Sequence, residues 1–292
     1  IIANISLKAL SKDSVNLGIK RLSLDEKMSG FSLKKMSLKL VANNKQKSID
    51  NFAIELPETS LKMDTIHLVY DSLQAFEHFA EEVHFSFRTL PSQITLKDIS
   101  PFVPVLSHFK EPITLDMEVK GTVDQLNCSH LEIVSEEQQF RLRGDVSLQD
   151  LSHPQDAYVY GTLSELSANT RGVGFLVRNL NPDYNGVPPI LERLGNISFR
   201  GEISGYFTDL VTYGQLRTSL GDVKTDLKLS ADKSKGLFAY SGAVKTTDFK
   251  LGELLANEQL GEITFNLDVH GRHITNQRPT VELKGLIASI DY

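Results

Sequence analysis

The chain has no tryptophan and a single cysteine, Cys128, in 292 residues. One cysteine excludes an internal disulfide and leaves the redox compartment open. Zero tryptophan and 8% aromatics argue against a transmembrane barrel, which places aromatic girdles at both membrane interfaces. No apolar run approaches the ~18 residues of a membrane helix. Basic clusters are missing too. With a net charge of −6, the chain lacks the grouped Lys and Arg that phosphate neutralisation needs, so nucleic acid is not an expected partner. The chain begins at Ile1 without an initiator methionine or signal peptide, which suggests a processed or internal piece of a longer protein.

What the chain does have is alternation. Three stretches superimpose without a gap: ITLDMEVKG at 113–121, ISFRGEISG at 197–205 and ITFNLDVHG at 263–271, ending on Gly121, Gly205 and Gly271. Period-two alternation sends successive side chains to opposite faces of a strand. Ile113, Leu115, Met117 and Val119 therefore share one face, and Thr114, Asp116, Glu118 and Lys120 the other. Ile197, Phe199 and Ile203, and then Ile263, Phe265, Leu267 and Val269, repeat the apolar side. About 20 such segments follow one another with turn residues between them. The phase changes between Leu33 and Met36 and around Gly285, as a bulge or tight turn would cause. The spacing of the anchor glycines is uneven, so a variable run of antiparallel hairpins is expected rather than a strict solenoid.

Helical patterns are few. Residues 72–80 (SLQAFEHFA) place Leu73, Phe76 and Phe79 at helical spacing, and 252–260 allows a turn or two. KDISPFVPVLSHFKE at 97–111 reads as a short helix interrupted at Pro104 or as a loop packed over a sheet end. The Gly-, Asn- and Pro-rich stretch Gly172–Pro189 reads as a longer loop. On general grounds these strands could build a sandwich or barrel core with no ligand at all.

No constellation of catalytic residues stands out, and the chain is not expected to be an enzyme. His270 and His273 have H-x-x-H spacing, but i and i+3 on a strand face opposite ways and no third ligand is near. Gly172 and Gly174 lack the third glycine and the strand–loop–helix context of a phosphate cradle. The adjacent pairs Glu81–Glu82 and Glu136–Glu137 point apart on a strand. G-x-S-x-G is absent, and Cys128 has only His130 nearby. No cofactor and no metal are expected.

Three ordered stretches resemble the AsmA/TamB group of envelope proteins, especially the TamB-like proteins of Bacteroidota. ITLKDISPFVPVLSHFKEPITLDMEVKGTVDQL at 94–126 is similar to the family's short element leading into a strand and glycine. DFKLGELLANEQLGEITFNLDVHG at 248–271 is similar to its F-x-L-G-x-L-L phrase and following strand, and YGTLSELSANTRGVGFLV at 160–177 to the linking segment. Together the three stretches cover about a quarter of the chain. It implies an all-β fold, an elongated antiparallel sheet curled into a U-shaped, taco-like groove with an apolar interior and one or two short helices. It also implies a periplasmic protein, anchored in the inner membrane, that bridges to the outer membrane and moves phospholipid. A second expectation is a scaffold that helps assemble outer-membrane barrel proteins, with an unseen glycan-active site as a third. Neither the family's membrane helix nor its C-terminal domain falls within this chain, so an internal piece of the bridge is expected.

On this reading residues 1–292 form one continuous β-groove segment, divisible at 1–96, 97–190 and 191–292. The groove would be lined by Ile113, Leu115, Met117, Val119, Ile197, Phe199, Ile203, Ile263, Phe265, Leu267 and Val269, with phospholipid acyl chains as the occupant. A one-sided sheet must cover its apolar face with a second layer or a ligand. Twenty strands at ~4.8 Å would extend on the order of 90 Å.

Overall fold

The computed structural model describes residues 1–11, 14–43, 47–101, 106–107, 109–153, 156–180, 186–232, 237–274 and 280–291. The fold is all-β, with eighteen strands among these residues and every pairing between them antiparallel. Two compact units divide the chain: residues 1–138 with 175–185, and residues 139–174 with 186–292.

The first unit opens with β1 (Ile2–Ser11), β2 (Ser14–Asp25), β3 (Ser32–Ala42) and β4 (Lys47–Glu55), each paired with its sequence neighbour. Beyond β4 the ladder splits into short pieces. The outer half of β4 meets β5 (Ser60–Lys62), and its inner half meets β6 (Ile66–Val69). A 3₁₀ turn over Leu73–His78 then runs into α1 (Phe79–Glu82), as the spacing over 72–80 predicts. β7 (His84–Arg88) and β8 (Ser92–Ile94) follow, and both pair with β9 (Ile113–Gly121), which pairs on with β10 (Gln125–Ser135).

The core of this unit lies where the 3₁₀ turn and α1 meet the sheet. Val83 is fully buried, and Ala42, Ile66, Leu68, Tyr70 and Ala75 surround it. Tyr70 meets Phe76 edge-on at 5.0 Å, and Phe79 stacks on Phe85 at 6.4 Å. Of the 97–111 segment, Leu96–Ile99 forms a 3₁₀ turn, closed by a hydrogen bond from the Lys97 N–H to the Phe109 carbonyl at 2.9 Å. Pro104 and its neighbours lie outside the described residues.

The second unit is a meander. β11 (Phe140–Gln149), β12 (Tyr158–Ala168), β13 (Ile197–Tyr206), β14 (Asp209–Thr218), β15 (Gly221–Asp232), β16 (Leu237–Lys250), β17 (Glu262–Ile274) and β18 (Thr280–Ile290) each pair with the next. Between β12 and β13 the chain forms α2 (Thr170–Leu180) and α3 (Pro189–Arg193), which corrects the expectation of a loop over 172–189. The Asn169 side chain caps α2, its Oδ1 accepting from the Gly172 N–H at 2.9 Å. Gly172 is present because a Cβ there would sit 1.9 Å from the Gln139 carbonyl oxygen. That glycine marks close packing rather than a turn. α4 (Leu251–Leu255) lies in the 252–260 stretch and closes the second core, where Leu220, Phe249 and Ile263 pack with Leu194, Leu251 and Leu254.

Both phase changes have a structural cause. Leu24 pairs with Leu33 but Leu22 pairs with Met36, so β3 carries one extra residue and bulges between those positions. Near the C-terminus the extra residue is Ala288, because Thr264 faces Ser289 while Phe265 faces Ile287. The shift therefore falls three residues beyond Gly285.

Candidate functional site

Directly paired residues in an antiparallel ladder point to the same face, so the registers define the faces strand by strand. In the second unit four rows run across all eight strands. One reads Leu142, Leu166, Phe199, Leu216, Val223, Thr246, Phe265, Ile287. The next reads Gly144, Leu163, Gly201, Gly214, Thr225, Val244, Leu267, Gly285. The third runs from Val146 through Ile203, Leu227 and Val269 to Leu283, and the fourth from Leu148 through Leu210, Leu229 and Tyr240 to Val281. None of these positions carries Asp, Glu, Lys or Arg.

The opposite face carries the charge. Lys228 meets Asp209 at 2.9 Å, Arg143 meets Glu165 at 3.5 Å, and Lys284 meets Glu282 at 2.8 Å. Hydrogen bonds from Lys228 and Ser230 hold the Asp209 carboxyl below the usual carboxylate range. A cleft of about 470 Å³ opens on this polar face over Ser230, Ala239 and Ser241, ringed by Lys228, His270, Arg272 and Glu282.

The residues expected to line a groove sort by unit. Phe199 and Phe265 share a row, as do Ile203 and Val269, while Leu267 occupies the row between. Ile263 is buried at the α4 end, and Ile197 pairs with Ala168 at the start of β13. In the first unit Ile113 and Val119 are buried and Leu115 and Met117 half-buried. Val119 lies opposite Phe87 on one side and Cys128 on the other. The apolar face of that unit continues along Leu7, Leu17, Leu40, Ile49 and Ile66. Its own 3₁₀ turn and α1 cover part of it.

In the second unit Phe140, Ala168 and Val173 are buried around β11, β12 and α2, and Leu220, Phe249 and Ile263 at the α4 end. Among the large apolar side chains of the four rows, only Leu163 is buried; the others are half-buried or exposed. The floor is also unusually low. The Phe199 ring lies where a Cβ of Gly214 would be, 2.5 Å from its ring carbon, and the Tyr240 ring lies over Gly271 in the same way. These flat rings fill the space that missing side chains leave, as aromatic rescue of strand glycines does. Gly121 and Gly205, the other two anchors, differ from Gly271. Their φ values are +130° and +129°, and a Cβ would strike the carbonyl oxygen of Gln125 or Asp209 across the hairpin. At these two positions only glycine fits.

Sequence reasoning passed over Leu210, Thr212, Leu216, Thr225 and Thr246, which complete the rows. Threonine and glycine break an apolar–polar count although both suit the apolar face, so counting them as neutral would have recovered β14. The other candidates stay apart. His270 sits opposite Ser241 and His273 opposite Phe238, register positions on opposite faces. Cys128 is buried in β10. No group of three His, Cys, Asp or Glu with metal-binding geometry occurs among the described residues, and no described helix is long and apolar enough to cross a membrane. Comparison with family models, with curated proteins and with solved structures gives no match for this chain.

Proposed function

We propose that the chain is a segment of a phospholipid conduit in a diderm envelope, holding acyl chains against its apolar sheet faces. The carrying observation is the second unit's face, four rows deep and eight strands long without one charged residue. At ~6.6 Å per two residues and ~4.8 Å per strand, that face measures roughly 20 by 34 Å. Its planar footprint of about 680 Å², on side chains mostly half-buried, is of the order of the largest apolar patches on ordinary monomers, about 300–600 Å² of exposed area. Such a surface needs an occupant. One bilayer leaflet's acyl chains reach about 15 Å, which fits within the rows, and each CH₂ withdrawn from water contributes about 0.8 kcal/mol. Curling the sheet around those chains would leave headgroups at an open mouth. The sequence resemblance to AsmA/TamB-like proteins would imply a periplasmic setting, an inner-membrane anchor and two membranes to be bridged.

The test is chemical. A photo-crosslinking amino acid at Leu267, followed by mass spectrometry of the purified chain, is expected to capture phospholipid. Capture of an unfolded barrel protein would favour the assembly scaffold. An intact chain with no adduct, and no lipid in an organic extract, would refute the conduit.

A further inference from the structure

Charge is divided unevenly along the chain. Residues 1–50 hold ten Lys and Arg against four Asp and Glu, a net +6, so the remaining 242 residues carry −12. No run of sequence groups these cations, but the ladder does. On the polar face of the first unit, Ser6, Gly18 and Lys39 stand in one row across β1, β2 and β3. Over this row opens a cleft of about 470 Å³ ringed by Lys8, Lys20 and Lys39, with Asn16, Ser37 and Asn51 among its other walls. Gly18 leaves the floor bare, since a Cβ there would meet only Ser6, 2.7 Å from its Oγ. Among the described residues no acid lines the cleft, whereas Glu282 lines that of the second unit. Asp50, next in the row after Lys39, accepts a hydrogen bond from Thr65 at 3.2 Å and lies outside the lining. None of the three lysines is in an ion pair with a described residue.

The backbone converges on the same place. Lys8 is an extra residue in β1, because Leu7 faces Leu17 and Ala9 faces Asn16. Lys20 is an extra residue in β2, because Ile5 faces Ile19 and Asn4 faces Arg21. In β4, Asn51 and Phe52 together stand against Leu38, and Asn51 takes φ +55°. A bulge re-aims a side chain out of the regular pleat, and these three aim theirs into one cleft. Lysines and bulges also blunt sheet edges, but Lys20, Lys39 and Asn51 lie on strands paired on both sides. The cleft sits on a sheet face, so it does not depend on what precedes β1.

We propose that this cleft binds a phosphate monoester, supplied either by an anionic phospholipid headgroup or by a free phosphorylated small molecule. Such a group carries a charge of about −1.5 to −2 at neutral pH and three acceptor oxygens. Three ammonium groups, each a point charge with rotatable donors, match it. A single carboxylate, with one charge and two oxygens, does not. The cleft volume falls among the roughly 300–1,000 Å³ of small-molecule sites and leaves space for the esterified alcohol beside Asn16 and Asn51. The site lies on the face opposite Leu7, Leu17 and Leu40 and does not rest on what the apolar face holds.

Calorimetric titration of the intact chain in about 20 mM NaCl, where the Debye length is roughly 20 Å, should give glycerol 3-phosphate a Kd of about 0.1–1 mM. Succinate, a dicarboxylate of similar charge, should bind about tenfold more weakly. Lys8→Gln, Lys20→Gln and Lys39→Gln should each weaken binding about three- to fivefold, and the triple variant should abolish it. All three side chains are exposed, so the melting temperature should not move. Lys35→Gln removes the same charge from the same strand as Lys39, but from a lysine already paired with Glu55 at 3.6 Å, and should leave the Kd unchanged. Flotation with phosphatidylcholine vesicles, with and without about one-fifth phosphatidic acid, tells the two sources apart. Flotation that needs phosphatidic acid and is lost in the triple variant assigns the headgroup; glycerol 3-phosphate binding without it assigns a soluble ester. The absence of both overturns the proposal. So does succinate binding as tight as that of the phosphate ester, or a loss in Lys35→Gln equal to that in the ring lysines.

Discussion

Leu267→Asp separates an open apolar face from a covered one. Leu267 lies in β17 between Val244 and Gly285 and is half-buried. Fully burying a leucine is worth about 1.5–3 kcal/mol, so losing half of that contact costs about 1 kcal/mol. The carboxylate can turn toward water from a half-exposed position, and its desolvation adds only a fraction of the several kcal/mol that a buried unpaired charge costs. A total near 2 kcal/mol is expected. Beneath a second layer the same change would cost more than about 4 kcal/mol, a large part of the 5–15 kcal/mol that holds a domain together. Urea titration followed by circular dichroism reads the loss, with Asp268→Asn on the polar face expected within about 0.5 kcal/mol of wild type. Lipid extracted from the folded variant reads the function, and should fall sharply because a fixed charge now interrupts the row. An unfolded Leu267→Asp at 25 °C would refute the open face. A folded variant that keeps its full lipid complement would refute the conduit.

Two further changes probe the backbone logic. Gly205→Ala should destabilise by about 2 kcal/mol or more, since a side chain is strained at φ +129° and meets the Asp209 carbonyl at 2.3 Å; Gly186→Ala, with nothing within 4 Å, should be near neutral in the same thermal melt. Asn169→Ala removes the α2 cap and should cost about 1 kcal/mol, whereas Asn169→Asp, which keeps the accepting oxygen, should retain most of it.

The alternating strands were legible because period two survives in β9, β13 and β17, where Ile113, Ile197 and Ile263 each begin the same phrase. The all-β class followed from their number. The rows were harder to see, because a row is a property of register, and register depends on turns and bulges that composition does not announce. The extra residue at Ala288 brings Ile290 to the apolar face opposite Ile263, where strict alternation from Ile287 would have put Ser289, a switch no residue type signals. α2 was hidden for a related reason. Gly172 and Gly174 resemble loop punctuation in one dimension, yet both are buried in a helix whose cap is a single asparagine. The three anchor glycines looked equivalent and are not. Two are fixed by positive φ, and the third lies beneath a tyrosine ring.

A half-exposed apolar face also ties the stability of the second unit to whatever occupies it. The buried apolar residues of this unit include Phe140, Leu163, Leu220, Phe249 and Ile263, and the rows beyond the α4 end are left without their full hydrophobic gain. The meander offsets part of that deficit, because every strand pairs with its neighbour in sequence and the loop-closure cost of each pairing is small. On the conduit reading, the remainder comes from bound acyl chains. A molecule that binds only the folded state stabilises it by RT ln(1 + [L]/Kd), about 2.7 kcal/mol at a hundredfold excess over Kd. For a unit of this size that corresponds to a rise in Tm of roughly 5–10 °C. A delipidated chain melted with and without a short-chain phosphatidylcholine below its micelle concentration should show this rise. Glycerophosphocholine, the same headgroup without acyl chains, should show none. Equal shifts from both would place binding on the polar face, where Lys228, His270 and Arg272 ring their cleft, and would remove the apolar rows from the argument.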